Sequence, residues 1–178
     1  NNGDLSFEDK TKEWGMFRPS FSNGAAFADL DNDGDLDYVV NNINDAAFLY
    51  ENTLYAGGEK KSENNFLRIK LIGEQKNKSG LGTIVTLKYD GKTQYHYHSI
   101  YRGYLSTVED VIHFGIGTSQ TVDTLTVVWP DGNSQILSNV NANQVLEVDH
   151  AESRKSIERS PNQFGISKGP LMEVSNVL

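Results

Sequence analysis

The sequence predicts an all-β chain in which a short N-terminal β unit precedes a small antiparallel β-sandwich or barrel. Three observations carry this. Short stretches rich in Val, Ile, Thr and Tyr recur between clusters of Gly, Asn and Asp. Helical periodicity of apolar residues is nearly absent. The dipeptides Asp90-Gly91 and Asp131-Gly132 fall between strand-like runs, with the composition that supplies positive φ angles in tight hairpin turns.

In chain order, Gly24 to Ala28 and Tyr38 to Val40 read as strands joined by an aspartate-rich loop. Residues 55–65, rich in Gly, Lys, Glu and Asn, read as a change of composition, with a linker over 56–64 separating residues 1–55 from a β domain over 65–150. Within that domain the expected strands are Phe66 to Ile72, Thr83 to Tyr89, Thr93 to Ile100, Val111 to Phe114, Thr124 to Trp129, Ser134 to Leu137 and Gln144 to Val148. Alternation assigns faces: Leu67, Ile69 and Leu71 share one side while Arg68 and Lys70 share the other, and Leu125, Val127 and Trp129 share a side. The polar stretch from His150 to Gln163 closes the domain, leaving a polar tail over 151–178.

Composition narrows the function. A chain of 178 residues can bury a substantial core, and the absence of cysteine excludes disulfides, thiolate metal sites and thiol nucleophiles. A formal charge of −8 opposes a nucleic-acid phosphate backbone, and no Lys/Arg stripe interrupts it. No apolar run approaches the roughly 20 residues of a membrane-spanning helix, so membrane insertion is not expected. The sequence opens at Asn1 without an initiator Met and is expected to be a piece of something longer.

The strongest chemical signal is Asp29-Leu30-Asp31-Asn32-Asp33-Gly34-Asp35-Leu36-Asp37, with carboxylates at alternate positions around a glycine. Like charges at this density repel unless a cation neutralises them. A hard ion such as Ca²⁺ takes six to eight oxygens; a bend at Gly34 aims Asp29, Asp31 and Asp33 inward, Asp35 offers its backbone carbonyl and Asp37 is the natural last ligand. An EF-hand is rejected, because Val40 stands where the bidentate Glu belongs and no amphipathic helix flanks the loop. The expected cofactor is a structural Ca²⁺ held by Asp29, Asp31, Asp33, Asp35 and Asp37; a solvated acidic turn is the plainer alternative.

The run from Phe27 to Val40 resembles an FG-GAP or VCBS repeat, whose members hold Ca²⁺ in this loop between strands of a propeller blade. Gly3 to Thr11 with Trp14-Gly15-Met16 resembles the lead-in of such a repeat, and Phe48-Leu49-Tyr50-Glu51-Asn52 its closing strand. A propeller has about four to eight blades, and one such loop is present. The resemblance therefore implies that residues 1–55 are a single blade, either the last of an excised propeller or one packing against the following domain.

A second resemblance covers Asn65 to Val148 and is to the ASPIC/UnbV domain, which follows such repeats in secreted proteins similar to cartilage acidic protein. It rests on Ser79-Gly80-Leu81-Gly82-Thr83, Arg102-Gly103-Tyr104-Leu105-Ser106, His113-Phe114-Gly115-Ile116-Gly117 and Trp129-Pro130-Asp131-Gly132. Leu81 and Ile116 depart from the residues usual there. The resemblance implies a small β domain of secreted or surface proteins with no catalytic residues to carry over. Phe164 to Ser175 is faintly similar to the lead-in of a further repeat.

Other constellations point less far. His96 and His98 lie two apart on an expected strand and share a face, as a Zn²⁺ or Cu²⁺ pair would, but no third ligand is identifiable. His113 reads as structural. Tyr89, Tyr95, Tyr97, Tyr101 and Tyr104 can form a stacking surface for carbohydrate or peptide, or pack in the core. Asn77-Lys78-Ser79 fits the N-glycosylation pattern and receives no function. No nucleophile-base pair, acid/base carboxylate pair or phosphate-cradling loop has a workable spacing. The expected function is a non-enzymatic binding or adhesion scaffold, extracellular, on the cell surface or periplasmic, with a protein or glycan partner. The alternative is an accessory domain of a secreted carbohydrate-active hydrolase.

Overall fold

The computed structural model describes residues 5–55 and 63–155. They form an all-β structure of three sheets. In the first, β1 (Ser22–Ala28), β2 (Asp37–Asn42) and β3 (Phe48–Tyr50) run antiparallel in the order β1-β2-β3. Ala28 pairs with Asp37, so residues 29–36 form the connection between neighbouring strands that the sequence predicts. This sheet buries few apolar side chains of its own: Val40 and Phe48 are buried, with the Arg18 guanidinium over the Phe48 ring, whereas Leu49 and, in the segment before β1, Phe7, Trp14, Phe17 and Phe21 are exposed.

The remaining strands make two facing layers. One contains β4 (Asn65–Ile72), β7 (Ile112–Gly117) and β10 (Val145–Asp149) in the order β10-β4-β7. The other contains β5 (Ile84–Tyr89), β6 (Lys92–Tyr97), β8 (Thr121–Val128), β9 (Asn133–Asn141) and β11 (Arg154–Lys155) in the order β11-β9-β8-β5-β6. Each layer turns alternate residues inward. Leu67, Ile69 and Leu71 meet Ile112, Phe114, Ile116 and Val148 from one side and Val85, Leu87, Val122, Leu125, Val127 and Trp129 from the other. A single apolar cluster thus fills the space between the sheets, and the face assignments made on β4 and β8 hold.

Of the two architectures expected, the sandwich is observed and the barrel is not. The antiparallel expectation needs one correction: β10 pairs with β4 in parallel. A three-residue 3₁₀ turn at His150–Glu152 then leads to β11 at the edge of the opposite sheet, an element too short to leave a periodic signal. Both Asp-Gly hairpins form. Asp90 and Gly91 have φ of 45° and 69° and join paired Tyr89 and Lys92 as a two-residue loop. At the second, only Gly132 is left-handed, with φ 89°, and its N–H bonds the carbonyl of Trp129 at 3.0 Å, so Pro130 and Asp131 belong to the turn as well. Most of the expected linker and tail, residues 56–62 and 156–178 with the repeat-like Phe164 to Ser175, lies outside the described residues.

Candidate cation loop and its seat on the sandwich

The loop between β1 and β2 is organised by its own backbone. The Asp29 carboxylate accepts N–H groups from Asp33 and Gly34, each at 3.1 Å. Asp31 accepts from Asp33 N–H at 3.3 Å, and Asp33 from Asp35 N–H at 3.0 Å. Besides Asp29, two of the carboxylates also fasten the loop to its surroundings. Asp37 takes Leu30 N–H at 3.0 Å and Asn52 N–H at 2.9 Å, closing the loop and tying it to the end of β3. Asp35 takes Tyr55 N–H at 3.0 Å. Asx turns of this kind arise wherever a short carboxylate follows its backbone into a tight bend.

Ligand-capable oxygens of Asp29, Asp31 and Asp33 lie within 4.8 Å of one another, while among the described residues Asp35 and Asp37 do not join that group. Internal hydrogen bonds do not exhaust the acceptors: Asp33 Oδ2 and Asp35 Oδ1 are buried without a partner, and Asp35 as a whole is only 5 % exposed. Burial, and after it the neighbouring carboxylates, holds the Asp33 and Asp35 carboxyls above the usual aspartate range. An oxygen-only donor set with spare buried lone pairs suits a hard divalent cation. The residues present therefore fit the ion that the sequence calls for.

The sequence reading missed how the loop is seated. Arg68 on β4 points to the outer face of the sandwich as alternation requires, yet it is buried, because the loop covers that face. Its Nη1 donates to Asp29 Oδ2 and its Nη2 to Glu109 Oε1. Glu109 closes the triangle by accepting Asp29 N–H at 3.3 Å. Gly34 and Gly24 mark two further close approaches. A Cβ on Gly34 would lie 2.3 Å from the Phe66 ring, and one on Gly24 would lie 3.0 Å from Ser106 Oγ. A basic residue on the polar face of a half-buried strand is the one clue the sequence held; its acidic partners, 39 and 41 residues away, could not be read from spacing.

A cleft of about 450 Å³ opens beside the loop, bounded by Asp35, Tyr55, Phe66, His113 and the bare backbone of Gly115 and Gly117. His113 stacks on Phe66 with ring centroids 5.7 Å apart, and burial, helped by the Arg68 charge, lowers its pKa to about 4. It is thus neutral near pH 7 and structural in its packing.

The other sequence candidates separate. His98 is buried and bonded to Asp110 at 3.0 Å, while His96 is half-buried with its ring 6.1 Å from that of His98. Burial lowers the His96 pKa to about 4. Among the described residues this pair belongs to no three-ligand cluster. Tyr95, Tyr97, Tyr101 and Tyr104 are exposed, but Tyr89 lies in the core, so the tyrosine surface excludes it. Asn77 spends its amide on both the N–H and the carbonyl of Leu81, at 2.9 Å each, and so closes a loop. A cluster not foreseen joins Glu74, Asp131 and His150. His150 meets Asp131 through Nε2 at 2.9 Å and Glu74 through Nδ1 at 3.5 Å. Opposite ring nitrogens face the two carboxylates, so the imidazole bridges two loops.

No curated protein matches the chain. The family comparison matches most of the sandwich, from Gly73 in the connection after β4 to Lys155 at the end of β11, and does not extend to β4 or to the loop unit that precedes it. All four motifs singled out in the sequence fall inside that span. Residues 73–155 thus match the family model described as ASPIC and UnbV.

Proposed function

We propose that this chain is a non-enzymatic binding or adhesion scaffold of the extracellular space, cell surface or periplasm, in which the loop from Asp29 to Asp37 holds a structural Ca²⁺. One observation carries the cation reading: three aspartate carboxylates converge while Asp33 Oδ2 and Asp35 Oδ1 remain buried without a partner. Leaving a buried charged acceptor unsatisfied is costly, and a bound divalent ion removes that cost by neutralising the cluster. Asp29, Asp31, Asp33 and Asp35 would supply oxygens to it, and Asp37 orders the loop through Leu30 and Asn52. A scaffold role is supported by the exposed Phe7, Trp14, Phe17 and Phe21 and by Tyr95, Tyr97, Tyr101 and Tyr104 on the sandwich, side chains of the kind that protein and glycan partners cover.

The test is thermal unfolding in EDTA, in 10 mM Mg²⁺ and in 10 mM Ca²⁺. For an extracellular-type Kd of about 10⁻⁴ to 10⁻³ M, 10 mM Ca²⁺ adds about 1.4–2.7 kcal/mol, a rise of several degrees. Asp31→Ala and Asp33→Ala remove the rise. No Ca²⁺-selective shift in the unsubstituted chain defeats the cation assignment.

A further inference from the structure

Resting on that reading of the loop, we propose that Arg68 sets the divalent-cation affinity of the site by acting as its intramolecular competitor. Arg68 belongs to the sandwich, not to the loop, and its guanidinium sits on Asp29, a member of the three-carboxylate cluster. Both side chains are almost wholly enclosed, 5 % exposed for Arg68 and 0 % for Asp29, so the positive charge is poorly screened by solvent. Arg68 Nε is itself buried without a partner, so the guanidinium is incompletely satisfied where it lies.

Two effects of Arg68 on a bound ion oppose each other. It could organise Asp29 for the ion, or it could repel the ion and occupy an acceptor that the ion needs. The hydrogen bonds decide in favour of the second. Asp29 is already positioned by Asp33 N–H and Gly34 N–H from within the loop, while Asp37 closes the loop independently of Arg68. Organisation is thus supplied locally, and what Arg68 adds is mainly a unit of positive charge. Glu109 offsets part of that charge and takes Nη2, leaving Nη1 as the group in competition.

Coupling of this kind is reciprocal. If Arg68 weakens cation binding, a bound cation must weaken the hold of Arg68 on Asp29 by the same factor. The contact that seats the loop on the sandwich therefore relaxes when the ion arrives, and Arg68 turns towards Glu109. Ion occupancy then reaches the sandwich through one side chain.

Calorimetric titration of the whole chain with Ca²⁺ tests this, comparing the unsubstituted protein with Arg68→Gln and Arg68→Lys. The expected result is Ca²⁺ binding about tenfold tighter in Arg68→Gln, with Arg68→Lys, which retains the charge, close to the parent. Equal or weaker binding in a folded Arg68→Gln overturns the competitor role while leaving the Ca²⁺ site intact. Absence of binding in the parent overturns both. Because Arg68→Gln can fail to fold, side-chain NMR signals of Arg68 are followed in the unsubstituted protein during the same titration. They shift on saturation if the contact relaxes; unchanged signals at full occupancy overturn the proposal.

Discussion

Phe66 occupies the space that a side chain at residue 34 would need: a Cβ there would stand 2.3 Å from two carbons of its ring. Gly34 also has φ of 102°, a conformation that L side chains rarely adopt. The glycine that bends the acidic loop is thus the same one that lets the loop lie on the sandwich. Gly34→Ala is expected to cost about 2–3 kcal/mol, combining backbone strain with displacement of Phe66. Urea denaturation measures it; a cost under half of that would show that the ring swings aside freely.

The Arg68–Asp29 pair predicts an asymmetry between single and double substitutions. Removing one partner leaves a buried charge uncompensated, for which about 3–5 kcal/mol is expected, so Arg68→Met in EDTA should be severely destabilised. Arg68→Met combined with Asp29→Asn should recover a large part of that loss, because the buried charge goes with its partner. Strictly additive effects would mean that the two side chains do not interact across the junction.

His113 gives a pH dependence with a definite sign. Its pKa falls from 6.5 in the unfolded chain to about 4 in the folded one, mainly through burial. The folded state therefore binds its proton less readily than the unfolded state. Stability is fully present above pH 6.5 and is lost as pH falls towards 4, by up to about 3 kcal/mol for this shift. Carboxylates titrate over part of that range, so the comparison is between the parent and His113→Phe. The variant should lose less stability between pH 7 and 4.5; parallel curves would show that the imidazole takes up its proton without penalty.

Gly80 has φ of 62°, and a Cβ there would meet Trp129 Cζ3 at 2.9 Å and Leu71 Cβ at 3.1 Å. Trp129 is the largest of the almost completely buried side chains and closes this end of the core. Gly80→Ala should cost about 2 kcal/mol, and Trp129→Ala about 3–5 kcal/mol. The contacts that join the acidic loop to the sandwich run through Arg68, Glu109 and Phe66, so the stability added by Ca²⁺ should survive in both variants. Loss of that increment would mean that the sandwich core and the loop are coupled more widely than through Arg68, Phe66 and Glu109.

What the sequence determined by itself is local. The alternation of Leu67, Ile69 and Leu71 sets the inward face of β4 because side chains on a strand repeat every second residue. Asp90-Gly91 makes a hairpin because it tolerates positive φ at both positions, and the spacing of Asp29, Asp31 and Asp33 around Gly34 brings three carboxylates together within a single bend. Such signals lie within a few residues of each other, where spacing alone constrains geometry. The parallel pairing of β10 with β4, the pairing of β11 with β9, and the choice of sandwich over barrel were decided by tertiary structure, because they join segments distant in the chain. The burial of Arg68 belongs to the same class. Alternation correctly placed it on the outward face, but only the folded chain brings Asp29 and Glu109 there, so that a residue legible as solvent-facing becomes the charged centre of the junction.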